Sequence, residues 1–421
     1  MNHEPTLGSN RDDVSKPVVD SSAPRRHEFP RRTVLTTGVG AAAGVALAGA
    51  GLAGAGALAA NAAPASASAA VGQSAQASVS LPWWLKLSAR QLAGQRVIYS
   101  YPGATPPQAL LDAITAGEVG GVIFFGENIT SLTQIAGVVA QLRAAQAASP
   151  IKEPLLLMTD QEGGFIRRLA GQQPVLSEKQ IGLAADPDAA ATAAGSGAAG
   201  ALRNVGMNLN LAPVLDVFRT PGDFDDQWQR SYSSDPALAG RLGADFVTAQ
   251  QGAGVAATSK HFPGLGAATA AQNTDLGPVT LTQPIADLRN IDESAFSPAI
   301  KAGVKLVMAS WAIYPAIDAT YPAGLSLRMI EIELRARLGF RGVTITDALE
   351  AGALDSFGDT GARTTLAANA GMDLLLCSAR DVSQGSDAVT ALTPVMQNFS
   401  LSWARSVLAL QRIQALRAGL F

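Results

Sequence analysis

A lone cysteine, Cys377, sets the first limit on this chain. It excludes an intramolecular disulfide and any cysteine-based zinc site. Within the apolar run Met372–Cys377 the thiol reads as an inert core residue. Histidine is nearly as scarce, with only His3, His27 and His261. No Gly-x-Ser-x-Gly elbow occurs, and metal sites rich in histidine are impossible. Charged residues make up 15% and the formal net charge is −3. No Lys/Arg-rich block follows residue 32, so there is no electrostatic case for nucleic acid.

What is present divides into a leader and a fold. Residues 1–30 are polar and show no hydrophobic period. Arg31-Arg32-Thr33-Val34-Leu35 then opens an Ala/Gly/Val/Leu stretch that runs to about Ala60. Ala60-Asn61-Ala62 and Ala67-Ser68-Ala69 supply small-x-small cleavage candidates. A basic start, an apolar middle and a small-residue exit make a secretory signal. The paired arginines before a mild core resemble a twin-arginine signal, the route for proteins exported already folded. An uncleaved membrane anchor is the alternative. The stretch is long enough to span, but its Ala/Gly composition inserts weakly. No cysteine follows it closely, which excludes a lipoprotein anchor. Residues 1–80 are therefore expected to be leader, signal and Ala/Ser-rich linker, and 81–421 the folded barrel, secreted or associated with the cell wall.

Eight short apolar runs punctuate the remainder: Arg96–Tyr101, Gly121–Phe125, Leu155–Thr159, Asn208–Val214, Val255–His261, Lys305–Ser310, Val343–Thr346 and Met372–Cys377. Helix-like segments separate them, among them Pro107–Ala116, Leu132–Ala147, Asp188–Val205, Pro236–Gln251, Ile285–Ala302 and Arg328–Leu338. The chain ends in a long helix containing Ser402–Leu416. Near-continuous apolar strands alternating with helices imply a parallel sheet covered on both faces. Eight such units predict a single-domain α/β fold, a (β/α)8 TIM-type barrel. A doubly wound open sheet is the alternative, but the turn after the first run lacks its Gly-rich phosphate signature.

Barrel enzymes carry their chemistry at the C-terminal ends of the strands. Polar residues recur there: Asp160 after the third run, Asp216 after the fourth, Lys260-His261 at the fifth, Ser310-Trp311 at the sixth and Asp347 at the seventh. A carboxylate in such a place is often a helix N-cap, and that reading stands for Asp160 or Asp347 alone. Five such ends on one rim are harder to explain that way. Once the leader is removed, His261 is the sole histidine. What remains is a set of carboxylates in basic and aromatic company, which suits glycoside hydrolysis.

Five segments then occur in order: Gly120–Ile129; Asp160-Gln161-Glu162-Gly163-Gly164 with Arg168; Ala212–Val217 followed by Arg230-Ser231-Tyr232; Lys260–Gly264; and Gly342–Leu349. On these segments the chain from about Leu87 to Phe421 resembles glycoside hydrolase family 3, in its single-barrel β-N-acetylhexosaminidase branch. The resemblance implies a retaining glycosidase with Asp347 as nucleophile. It also implies that Asp160 grips a hydroxyl of the terminal sugar and that Arg168, Arg230, Lys260 and His261 are donors around it. Arg168 can alternatively salt-bridge a neighbouring helix. Trp311 either stacks on a sugar or fills the barrel mouth. The family's two-domain β-glucosidases carry another domain after the barrel. That favours the hexosaminidase branch here, with β-glucosidase or β-xylosidase activity as the alternative.

One departure matters. In this branch the loop after the Lys-His segment carries Asp-x-His, whose histidine is the general acid/base. Aligned from Lys260, those slots hold Ala271 and Asn273. Aligned from Gly277-Pro278, Asn273-Thr274-Asp275 replaces the motif in a loop two residues longer. The second alignment keeps an ionisable group and places the insertion among small residues, where added length costs little. Asp275 is then the acid/base, His261 a substrate-binding residue, and an acidic pH optimum is expected. The Gly/Ala-rich loop suggests that the acid is carried in on closure. The expected partner is a carbohydrate, bound by a monomer. No metal or organic cofactor, no nucleic acid and no stable membrane association after signal cleavage are expected. The alternative from another class is a non-catalytic sugar-binding barrel.

Overall fold

The computed structural model of the protein describes residues 86–398 and 401–421. The leader and linker expected over residues 1–80 lie outside them. Eight parallel strands form one sheet: β1 (Val97–Tyr99), β2 (Gly121–Ile123), β3 (Leu156–Thr159), β4 (Leu209–Asn210), β5 (Ala256–Phe262), β6 (Leu306–Ala309), β7 (Val343–Thr346) and β8 (Leu375–Leu376). Strands β1 to β7 pair in sequence order, and β8 pairs with β1. The remaining join, β7 to β8, is made by an Ile345–Leu374 bridge. There Thr346 N donates to Leu374 O at 3.0 Å and Leu374 N to Thr344 O at 2.9 Å. This is the expected (β/α)8 barrel, with a strand in each apolar run, β5 extending one residue past its run to Phe262.

The helices start where side-chain chemistry dictates. Asp186 and Asp235 accept the Ala189 and Ala237 amides, each with proline at the first helical position, and so begin Pro187–Asn204 and Pro236–Gly252. Those two helices pack tightly because Gly195 faces the Phe246 carbonyl, and a Cβ there would sit 2.3 Å from its oxygen. The segments expected as helices over 285–302 and 328–338 are helical with wider i→i+5 turns, as in Leu338 N to Glu333 O at 3.0 Å.

Period-two alternation sorts the strand side chains into two layers. Ile98, Ile123, Leu156, Met158, Leu209, Leu306, Met308, Val343 and Ile345 share one cluster inside the barrel. Alternate residues such as Val97, Val122 and Leu157 pack outward against the helices. Ile413 and Leu416, from the C-terminal helix Leu401–Arg417, join the inner cluster. Buried Arg417 donates to Gln95 Oε1 and to Gly120 O, each at 2.6 Å. This helix seals the N-terminal end of the barrel and leaves the C-terminal ends of the strands as the open face. Cys377 is buried beside β8, and burial pushes its thiol pKa well up, as expected of an inert core residue. Among the described residues no helix is long and apolar enough to cross a membrane.

Candidate active site

A cavity of about 610 Å3 opens at the C-terminal ends of the strands. All seven residues singled out from the sequence line it: Asp160, Arg168, Arg230, Lys260, His261, Asp275 and Asp347. Asp160 and Asp347 are not helix caps. The helices that follow their strands are capped by Ser177 and Asp359 instead.

Consecutive residues of a regular strand point to opposite faces, yet Lys260 and His261 both line the cavity. The pairing of β5 with β6 shifts register between Ser259 and Phe262, and this irregularity brings both to the same side. Lys260 Nζ lies 2.8 Å from Asp160 Oδ1 and 2.6 Å from Glu162 Oε1. Arg230 donates from Nε and Nη2 to Glu162 at 2.8 and 2.9 Å, and from Nη1 to Asp225 at 2.8 Å. Buried Glu162 is therefore the hub of the network. Burial alone would raise its pKa, but Arg230 and Lys260 prevail and hold it at about 2. Three of the five guanidinium N–H groups of Arg230 are used and two remain for a ligand. Arg168 Nε is buried without a hydrogen-bond partner, 4.0 Å from Asp160 Oδ2, so Arg168 faces this cluster rather than a neighbouring helix.

His261 rests on Asp216. Its Nδ1 lies 2.7 Å from Asp216 Oδ2, and Asp216 also accepts the His261 and Leu265 amides. Burial, with Arg230 adding to it, lowers the imidazole pKa to about 4. The ring is thus neutral with its proton on Nδ1, and Nε2 is left as an acceptor. In that tautomer His261 offers the cavity an acceptor, where the resemblance implies a donor. Asp216, Asp225 and His261 bring ligand-type atoms within 4.8 Å of one another, the one such group of three among the described residues. The group is poorly suited to a cation. Asp216 already takes N–H donors on both oxygens, and Arg230 sits against Asp225. Burial raises the Asp225 pKa to about 6, against the pull of Arg230.

Asp347 follows β7 and forms no ion pair among the described residues; its Oδ1 accepts the Ala348 amide at 2.7 Å. Burial raises its pKa, and Asp275 adds to the rise against His261, Ala348 N–H and Lys260. Trp311 is buried, and its Nε1 donates to Ala348 O at 2.8 Å. It therefore packs behind the Asp347 segment and does not line the cavity. Asp275 is exposed and lines the cavity. Partial desolvation raises its pKa, opposed by Arg230 and reinforced by Glu350 and Asp160.

Composition suggests a mobile Asp275 loop, but the backbone there is tied down. Gly352 N donates to Asp275 O at 2.9 Å and Ala353 N to Thr274 O at 3.0 Å. Asn273 Oδ1 accepts the Asp275 amide at 2.8 Å and closes the turn. Sequence reasoning assigned no site role to Glu162, Asp216, Asp225, Trp228 or Glu350. Only Glu162 and Asp216 gave a signal, as carboxylates inside the strand-end segments already noted.

Comparison with known proteins agrees with this geometry. The profile of the Glycosyl hydrolase family 3 N terminal domain matches residues 87–416. A protein of Arthroderma benhamiae named "Uncharacterized secreted glycosyl hydrolase" is 45% identical over 330 residues, which are 78% of this chain and 93% of that one. A beta-hexosaminidase of Xanthomonas axonopodis pv. citri is 36% identical over 278 residues, 64% of this chain and 80% of its own. Among solved structures, a family 3 beta-N-acetylglucosaminidase from Paenibacillus superposes with a TM-score of 0.74 at 34% identity, over 79% of this chain and 63% of that chain. A beta-N-acetylhexosaminidase from Beutenbergia cavernae gives 0.71 at 32%, over 79% and 99%. With these relatives and a carboxylate-lined cavity at the strand ends, the chain belongs to glycosyl hydrolase family 3 and is a glycosyl hydrolase.

Proposed function

We propose that this hydrolase removes terminal β-linked N-acetylglucosamine, with retention of configuration, from cell-wall or chitin-derived oligosaccharides. The observation that carries the reading is Asp347. A buried carboxylate with no ion-pair partner is costly unless it is used, and this one shares a cavity with a second carboxyl, Asp275. Asp347 attacks the anomeric carbon as the bond to the leaving oxygen breaks. Asp275 gives that oxygen its proton, which leaves a glycosyl-enzyme. Asp275 then takes a proton from water, and the resulting oxygen displaces Asp347. Asp160, Lys260, Arg168 and Arg230 pair with the hydroxyls of the terminal sugar, and His261 Nε2 accepts from one. Such fixed polar groups reject sugars that leave them unpaired.

The names of the relatives support N-acetylglucosamine over glucose or xylose. The word "secreted" in one of them supports export, for which the Arg31-Arg32 segment is the candidate signal.

The test is a pH series on mature protein with aryl β-N-acetylglucosaminide and aryl β-glucoside, alongside Asp347→Ala and Asp275→Asn. Asp347→Ala should abolish turnover. Activity requires ionised Asp347 and protonated Asp275, and both pKa shifts are upward, so both limbs of the pH profile should lie above the ordinary carboxylate range. Asp275→Asn should remove the falling limb and slow poor leaving groups most. The replaced Asp-x-His histidine favours one other reading, a sugar-binding barrel without turnover. Binding of N-acetylglucosamine with no turnover at any pH would establish that instead.

A further inference from the structure

The floor of the cavity is charged, but one wall is not. Trp228 lines the cavity and yet remains 51% exposed. A large indole left half in water at the mouth of a pocket marks a surface that awaits an apolar face. Its place in the fold says which part of a substrate it meets. Trp228 ends the short helix Phe224–Gln227, and that helix is stitched to the loop that carries Asp275. Phe224 N donates to Ala268 O at 2.8 Å, and Gln227 Nε2 donates to Ala270 O at 3.0 Å. Between these two residues, Asp225 holds the Arg230 guanidinium. The segment that ends in Trp228 is thus tied to both the terminal-sugar network and the Asp275 loop, and Trp228 shares the cavity with Arg230 and Asp275.

An acid that protonates the leaving oxygen has the leaving group beside it. We infer that Trp228 is the platform of a leaving-group subsite, which takes the pyranose ring of the second sugar through its C–H face. The inference rests on the glycosidase reading above and deepens it. It assigns the chain to oligosaccharides rather than to small alkyl glycosides. Stacking on an indole tolerates several sugars, so this subsite favours a ring without fixing its substituents.

The test compares kcat/KM for a β-linked disaccharide with that for the methyl glycoside of the same terminal sugar, in the mature parent, Trp228→Ala, Trp228→Leu and Trp228→Phe. The terminal sugar is the one the aryl substrates identify. The ratio of disaccharide to methyl glycoside should fall about tenfold in Trp228→Ala, equivalent to about 1.4 kcal/mol. The fall should lie mainly in KM. Trp228→Leu should behave like Trp228→Ala, and Trp228→Phe should recover much of the ratio. An unchanged ratio, or recovery by leucine as complete as by phenylalanine, overturns the platform while leaving the glycosidase intact. A parent that cleaves neither substrate overturns both readings together.

Discussion

Replacing Gly352 with alanine should uncouple Asp275 from Asp347 without touching either carboxyl. Gly352 lies five residues after Asp347, where the Asp275 loop crosses the chain leaving β7. A Cβ at this position would come within 2.7 Å of the Leu276 backbone carbon and oxygen and 3.0 Å of Asp275 O. Ordinary contact begins at 3.4 Å, so backbone must yield by about 0.7 Å. The contacting atoms are main chain, which cannot rotate away as a side chain can. The movement also strains the two hydrogen bonds from Gly352 N and Ala353 N that hold Asp275 O and Thr274 O. Misplacing a reacting group by about 1 Å costs about 100-fold in rate. A shift of this size in the acid should lower kcat on an alkyl glycoside by about 10- to 100-fold. A dinitrophenyl glycoside leaves without a proton and should lose far less. Steady-state rates on both substrates, taken well below the melting temperature of the variant, give the contrast. Equal losses on both would mean general damage, and no loss on either would mean that the tether does not position Asp275.

Three further outcomes follow from the buried charges. The His261 ring should titrate near its lowered value of about 4 by NMR of the mature protein, with its proton on Nδ1. Its folded value lies below the unfolded one, so its contribution is complete above pH 6.5 and lost as pH falls toward 4, about 3 kcal/mol in all. Asp216→Asn should change the titration and weaken sugar binding. Glu162→Gln should destabilise the barrel by about 3 to 5 kcal/mol in denaturant unfolding, because Arg230 and Lys260 lose a shared buried partner. Glu162 is depressed to about 2, so the difference between parent and variant should shrink as pH falls from 4.5 toward 2. A pH-independent difference would count against the charge network.

The barrel and most of its charged floor were legible in the sequence for one reason. A strand buried on both faces is nearly all apolar, so a polar residue at its end stands out, and a barrel gathers all such ends on one rim. Asp160, Lys260, His261 and Asp347 were found that way. Asp275 lies in a loop with no period, and only the mismatch with the Asp-x-His pattern drew attention to it. Asp225 and Trp228 sit in a polar turn that looks like any connection. Their relevance depends on what the Asp275 loop does more than forty residues later.

The sequence alone determined the eight-fold repeat, the scarcity of thiols and imidazoles, and the carboxylates available for chemistry, because these follow from periodicity and residue type. Only the tertiary structure decided which charges neutralise one another and which stay available. Glu162 is bound to Arg230, 68 positions away, and His261 takes its tautomer from Asp216, 45 positions away. The small-residue loop is held because Gly352 leaves room for backbone to meet backbone. Electrostatic coupling falls off with distance through space and is blind to distance along the chain, so it is set by the closure of the barrel.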